Sequence, residues 1–249
     1  MIISKSLVEK TLNEALSTGA DFAEIFAEES YSSRLSVMDS SPKEALVGRQ
    51  YGAGIRVHFG KEEIYITTSD LSEAGLIKAA RAAAQAKAGG QRKNTSAHIE
   101  EPMTTFDDLL TKSKMPWDLT RDRKFQFLKN LDRAARAQST LVSQTQPLLL
   151  EKVQKVQIAN SLGVHVEDLR THYRTMLEVF VEEHGKRESF MKNEFSVTDA
   201  LFYENIPLVD WARETVDKAL TVLRAKFAPA GEFPVSIDNG FGGEIFHEA

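Results

Sequence analysis

Read for periodicity, the chain shows one order of elements twice: a helix, a run of strands and a second helix, over residues 4–88 and again over 119–226. In the first unit Leu7, Val8, Leu12, Ala15 and Leu16 recur at helical spacing behind Ser4 or Ser6, and Gly19 lies just past the end. The pattern then turns extended, with strands expected over 22–27 and 34–38 and a polar Ser/Tyr stretch between them. Gly48, Gly52 and Gly54 punctuate the approach to a strand over 55–59, and Gly60-Lys61 turns it into a hairpin with 64–66. Ser69 or Asp70 then caps a helix whose inward face is Leu71, Leu76, Ala79, Ala80 and Ala83, before Gly89-Gly90 closes the unit.

The second unit opens with a helix over about 119–137, inner stripe Phe125, Leu128, Leu131 and Ala135. Strands over 153–159, 164–169, 174–182 and 186–191 follow, with turns at Ser161-Leu162-Gly163 and His184-Gly185, and a helix over 208–226 ends it. Most connections are too short for parallel crossovers. The fold expected is therefore α+β, with mostly antiparallel sheets, helices packed on one face and an internal duplication of the helix-strands-helix unit. The domain division is 1–90, a first lobe; 91–116, a polar connecting segment with one short strand around His98; 117–230, a second lobe; and 231–249, the start of a further region.

Composition narrows the function. At 249 residues and 42% hydrophobic the chain can bury a substantial core, and a net charge of -5 offers no basic field for nucleic acid or an anionic membrane. Lys152, Lys155, Arg170 and Arg174 form no dense patch with interleaved aromatics, so nucleic acid is not expected as a partner. No secretory signal opens the chain and no apolar run is long enough for a membrane helix, so neither export nor a membrane is expected. The absence of cysteine excludes disulfides and thiolate metal clusters within these residues and suits the cytoplasm.

The chemistry concentrates at the far end. A short apolar strand is expected over 233–238, followed by Asn239-Gly240-Phe241-Gly242-Gly243 and then Glu244-Ile245-Phe246-His247-Glu248-Ala249. A His followed by Glu at the start of a helix is an arrangement used by zinc peptidases, the imidazole binding metal while the carboxylate takes a proton from water. The dipeptide alone is weak, since a solvated helix pair has the same sequence. The glycines could instead cradle a phosphate, but the Lys-Ser/Thr ending of a P-loop is missing and a plain tight turn fits better. His58, His98, His165, His172 and His184 read as ordinary surface or hydrogen-bonded histidines, Arg56 as a solvent-facing strand residue, and Trp117 and Trp211 as packing anchors.

Several segments carry a resemblance. Gly19-Ala20-Asp21-Phe22-Ala23-Glu24, then Gly52-Ala53-Gly54-Ile55-Arg56-Val57 with Thr68-Ser69-Asp70-Leu71, then Asn160-Ser161-Leu162-Gly163, and finally Ile237 to Gly243 running into Phe246-His247-Glu248-Ala249 together resemble the TldD/PmbA family. The last is similar to the entry into the HExxxH motif of TldD-type members. The resemblance covers the whole chain but about the first half of a typical member, and implies an amino-terminal portion broken off inside the metal motif. It implies a zinc-dependent peptidase acting on unfolded or extended peptides, with His247 as a metal ligand, Glu248 as general base, and a second histidine at position 252 and a later cysteine outside the chain. No further cofactor is implied. It also implies a homodimer, or a heterodimer with a PmbA-type subunit. The fragment itself is expected to be inactive, to hold no zinc as a monomer, and to expose apolar surface that promotes self-association.

Overall fold

The computed structural model describes residues 1–87, 97–101, 103–104, 113–237 and 242–248. The first unit is helix α1 (Lys5–Ala15), strands β1 (Phe22–Met38), β2 (Ser41–Phe59) and β3 (Glu62–Thr68), and helix α2 (Glu73–Gln85). A two-residue strand, β4 (Met103–Thr104), lies between the units. The second unit is helix α3 (Arg121–Arg136), strands β5 (Val142–Asn160), β6 (His165–Glu183) and β7 (Lys186–Ser196), and helix α4 (Leu208–Arg224), with short 3-10 turns at Pro116–Asp118 and Phe202–Asn205. A last short helix, α5, spans Gly242–Glu248.

The seven strands of the described residues form one sheet. The path β3-β2-β1-β5-β6 is antiparallel throughout, and the far edge of β6 is shared by antiparallel β7 and parallel β4. The units meet where β1 pairs with β5, from Glu24 opposite Asn160 to Ser36 opposite Leu148. Each unit thus contributes a helix, three antiparallel strands and a helix, with its first strand at the centre of the sheet, as an internal duplication requires.

Helices α1 to α4 lie on one face. Along β1 the odd-numbered side chains Ala23, Ile25 and Ala27 join α1 (Val8, Leu12, Ala15) and α2 (Leu76, Ala80, Ala83) in one core cluster. Farther along the same face, Leu35 and Val37 join α3 (Phe127, Leu128, Leu131) and α4 (Trp211, Val216, Leu223) in a second. The N-caps are made locally: the Ser72 hydroxyl accepts from Gly75 N at 3.2 Å, and that of Thr120 from Arg123 N at 3.3 Å. Trp211 is core at 2% exposure, whereas Trp117, expected as an anchor, is exposed and rests edge-on against Tyr31.

The strands are longer than the pattern suggests. Where the sequence reads two strands and a polar gap, β1 runs unbroken for 17 residues, because Ser30 and Ser33 are small enough to be buried within it. β2 also absorbs its glycines, and a Cβ at Gly52 would meet Thr68 O at 2.9 Å, so a side chain there would strike β3. The β1–β2 turn, Asp39-Ser40, has φ of 50° and 65°, the left-handed pair of a type I′ hairpin. Neither residue is glycine, and α3 holds them instead: Ser40 Oγ donates to Asp132 Oδ2 at 2.6 Å, and Arg136 pairs with Asp39. The segment expected as a strand around His98 lies outside any element, its main chain bonded instead to the side chains of Asn13 and Glu9, as do residues 233–237 of the strand expected over 233–238, and Gly89-Gly90 falls outside the described residues.

Candidate functional site

His247 and Glu248 sit on α5, a seven-residue helix with no buried residue; Ile245 and Phe246 beside them are 52% and 86% exposed. The glycine-rich approach at 238–241 and Ala249 fall outside the described residues. A closed zinc site takes four ligands, and a catalytic one three from the protein plus an open position. Among the described residues no three His, Cys, Asp or Glu side chains gather to hold a metal ion. One imidazole on an exposed helix does not fit a zinc ion by itself.

The other histidines are dispersed. His165 is buried with both ring nitrogens engaged, Nδ1 at 2.9 Å from Glu100 O and Nε2 at 3.0 Å from Gln157 Nε2. A carbonyl and an amide N–H are its neighbours, so the ring is the Nδ1–H tautomer and Nε2 accepts. Gln157 Oε1 in turn accepts from Ile2 N and Ile3 N at 3.0 and 2.8 Å, which ties the start of the chain to the sheet. His58 packs edge-on against Phe22 and lies 3.4 Å from Glu63; His98 lies 3.3 Å from Glu9. His184 occupies the β6–β7 turn at φ 52°. Arg56 lies within 4.0 Å of both Glu24 and Glu63 and 5.7 Å from the Tyr65 ring centroid, which accounts for it as a half-exposed strand residue.

Two features carry no sequence signal. The first is a buried ion pair under α3. Lys124 Nζ donates to Glu151 Oε2 at 2.8 Å and to Pro116 O at 2.7 Å, with both side chains less than 5% exposed. Among the described residues Glu151 Oε1 has no partner at full hydrogen-bond geometry, and the Ser33 hydroxyl is a minor donor to the same carboxyl. Burial pushes the Glu151 carboxyl above the usual range, and the hydrogen bond and charge of Lys124 offset that only in part. Around the pair, burial also raises Tyr173 and Tyr203 well above the ordinary tyrosine value. The second feature is a groove of about 930 Å³ on the sheet, lined by Arg34, Leu46, Leu150, Lys152, His172, Arg174 and Phe195 among others. Phe195 is 78% exposed. Arg34 is held by Glu44 at 2.7 Å and Arg174 by Asn193 at 2.9 Å, so the groove presents aliphatic and aromatic surface between oriented cations.

The resemblance seen in the sequence is met at the level of family. Residues 23–87 match the PmbA/TldA metallopeptidase domain 1, and residues 114–223 match the PmbA/TldA metallopeptidase central domain. The chain belongs to the PmbA/TldD metallopeptidase family. It is 28% identical over 241 residues to a metalloprotease TldD homolog of Haemophilus influenzae, an alignment that takes in 92% of this chain and 48% of that protein. It is 26% identical over 249 residues to a metalloprotease TldD homolog of Buchnera aphidicola subsp. Acyrthosiphon pisum, covering 96% of this chain and 50% of that one. The chain therefore spans about half the length of these relatives. Among solved structures, a putative modulator of DNA gyrase from Bacteroides thetaiotaomicron superposes with a TM-score of 0.72 at 15% identity, over 92% of this chain and 52% of the other. TldE from Thermococcus kodakarensis does so with a TM-score of 0.58 at 16% identity, over 84% and 47%. These last two establish the fold.

Proposed function

We propose that the chain is the amino-terminal portion of a zinc-dependent peptidase that hydrolyses unfolded or extended peptides. The observation that carries the reading is the match, over more than nine-tenths of the chain, to proteins named metalloproteases. In this reading residues 1–90 and 117–230 are two lobes joined by 91–116, and 231–249 open the catalytic region. His247 is one metal ligand, Glu248 beside it is the general base, and the remaining ligands lie beyond residue 249. The chain by itself is inactive. The protein works in the cytoplasm, as a homodimer or with a PmbA-type subunit. Among the described residues no helix is long and apolar enough to cross a membrane.

A second reading, a non-catalytic assembly or peptide-binding module of a TldD/PmbA-like complex, draws on the cation-lined groove of the sheet. The two separate in a polypeptide of the relatives' full length that carries these residues. Glu248→Gln should lower hydrolysis of an unfolded, fluorescently labelled polypeptide by roughly 10²–10⁴-fold, the usual contribution of a positioned base, with metal content unchanged. An unchanged rate would remove Glu248 from the chemistry and favour the assembly module.

A further inference from the structure

Among the described residues, one long edge of the sheet has no strand beside it. β3 pairs with β2 only from Ala53 to Phe59, so from Pro42 to about Tyr51 the main-chain groups of β2 that point away from β1 meet no strand among the described residues. The duplicated unit shows what such an edge takes. In β6, the counterpart of β2, the carboxyl-terminal half pairs with β7, and the amino-terminal half receives β4 at Val166 and Glu167. Among the described residues the matching half of β2 has no strand.

The side chains of this stretch are those of a strand awaiting a neighbour. Leu46, Val47 and Tyr51 are about 60% exposed and point to both faces of the sheet. Two of the three charges of this stretch are turned inward, Glu44 to Arg34 at 2.7 Å and Arg49 to Glu29, which leaves Lys43 as the edge charge that could oppose pairing.

We propose that this edge, Lys43 to Tyr51, pairs antiparallel with the same edge of a second copy of this chain, about a two-fold axis through Val47. A two-fold relation that reverses the strand keeps the same face of both sheets upward, so even residues must oppose even ones and odd oppose odd. That leaves few registers. With Leu46 on the axis, Lys43 faces the partner's Arg49, two like charges directly opposed. With Val47 on the axis, Val47 faces Val47, Leu46 covers the side-chain-free Gly48, Ala45 lies opposite Arg49 and Lys43 opposite the Tyr51 ring. No like charges meet. The second register also stops at Tyr51, just short of Gly52, where Thr68 already occupies the edge. The inference rests on the assembly part of the function proposed above and not on its chemistry.

The chain has no cysteine, which makes the test unambiguous. Directly opposed residues of antiparallel strands have Cα atoms about 4.5–5.5 Å apart, within the span of a disulfide. Val47→Cys in the 249-residue chain should form a disulfide-linked dimer under mild oxidation. Ala45→Cys and Arg49→Cys should not do so singly, since each lies four residues, roughly 13 Å, from its own copy. Mixed together, those two should cross-link to each other. In sedimentation the parent chain should be dimeric at micromolar concentration, and Val47→Lys, at a surface position, should weaken the dimer at least about tenfold while circular dichroism stays unchanged. The proposal is overturned by a monomer under these conditions, by a dimer that Val47→Lys leaves intact, or by cross-linking that favours the single 45 or 49 variant over 47. A dimer surviving Val47→Lys would leave the wider assembly standing and remove this edge from it.

Discussion

Replacing Lys124 with Met isolates the contribution of the buried ion pair. The substitution keeps the length of the side chain and removes its charge, leaving the Glu151 carboxylate less than 5% exposed and deprived of its cationic donor. Breaking a buried pair from one side costs about 3–5 kcal/mol, because the remaining ion is uncompensated. For a chain of this size each kcal/mol lowers the melting temperature by about 2–4 °C, so a fall of roughly 6–20 °C is expected. The pH dependence has a definite sign. The Glu151 pKa is raised in the folded chain, so its contribution to stability is fully present below the ordinary carboxylate range and declines as pH rises through the folded pKa. Without Lys124 that pKa rises further, and the cost of the variant should shrink as pH is lowered from 7 toward 5. Adding Glu151→Met should restore most of the loss, since a well-packed apolar pair removes both desolvation penalties. The assay is urea unfolding of the parent, both single variants and the double variant at several pH values. A cost below 1 kcal/mol for Lys124→Met at pH 7, or a double variant no better than Lys124→Met, would refute the reasoning.

Glu151→Gln should gain on the parent in unfolding free energy as pH rises above the ordinary carboxylate range, because the amide mimics the protonated acid at every pH; a difference that moves the other way would reverse the assigned shift. Asp132→Ala should cost about 2–4 kcal/mol in chemical denaturation, since this buried carboxylate accepts from Ser40, Thr145 and Arg136 and its loss frees the left-handed Asp39-Ser40 turn; a cost under 0.5 kcal/mol would mean the turn holds itself. Titration of the 249-residue chain with zinc should reveal no sub-micromolar stoichiometric site, and His247→Ala should leave the isotherm unchanged; tight one-to-one binding lost in that variant would contradict the incomplete ligand set.

Much of this fold is legible in the residues. The amphipathic stripes of α1 to α4, the turns at Ser161-Leu162-Gly163 and His184-Gly185, and the repeated order of elements follow from local pattern. Strand length does not, because pairing overrides local signals. Asp39-Ser40 lacks the glycine of a type I′ turn and depends on Asp132 and Arg136, far away in sequence. Pro147 is tolerated inside β5 because it sits one residue past the end of the β1–β5 pairing, where among the described residues β6 alone pairs with the strand. Nothing nearby in sequence marks Lys124 and Glu151 as a pair: α3 and β5 are consecutive elements, but the two residues lie 27 positions apart and meet only when the helix packs back onto the strand. The proposed site rests on resemblance: His247 and Glu248 draw their weight from it, α5 leaves them in solvent, and among the described residues no three metal-binding side chains gather.

Metal content of the full-length polypeptide is therefore the measurement that tests His247 most directly. The account predicts close to one zinc per chain after purification and dialysis, lost on His247→Ala and retained on Glu248→Gln, with peptide hydrolysis falling by at least roughly 10²-fold in both. Zinc retained at full stoichiometry in His247→Ala would contradict it.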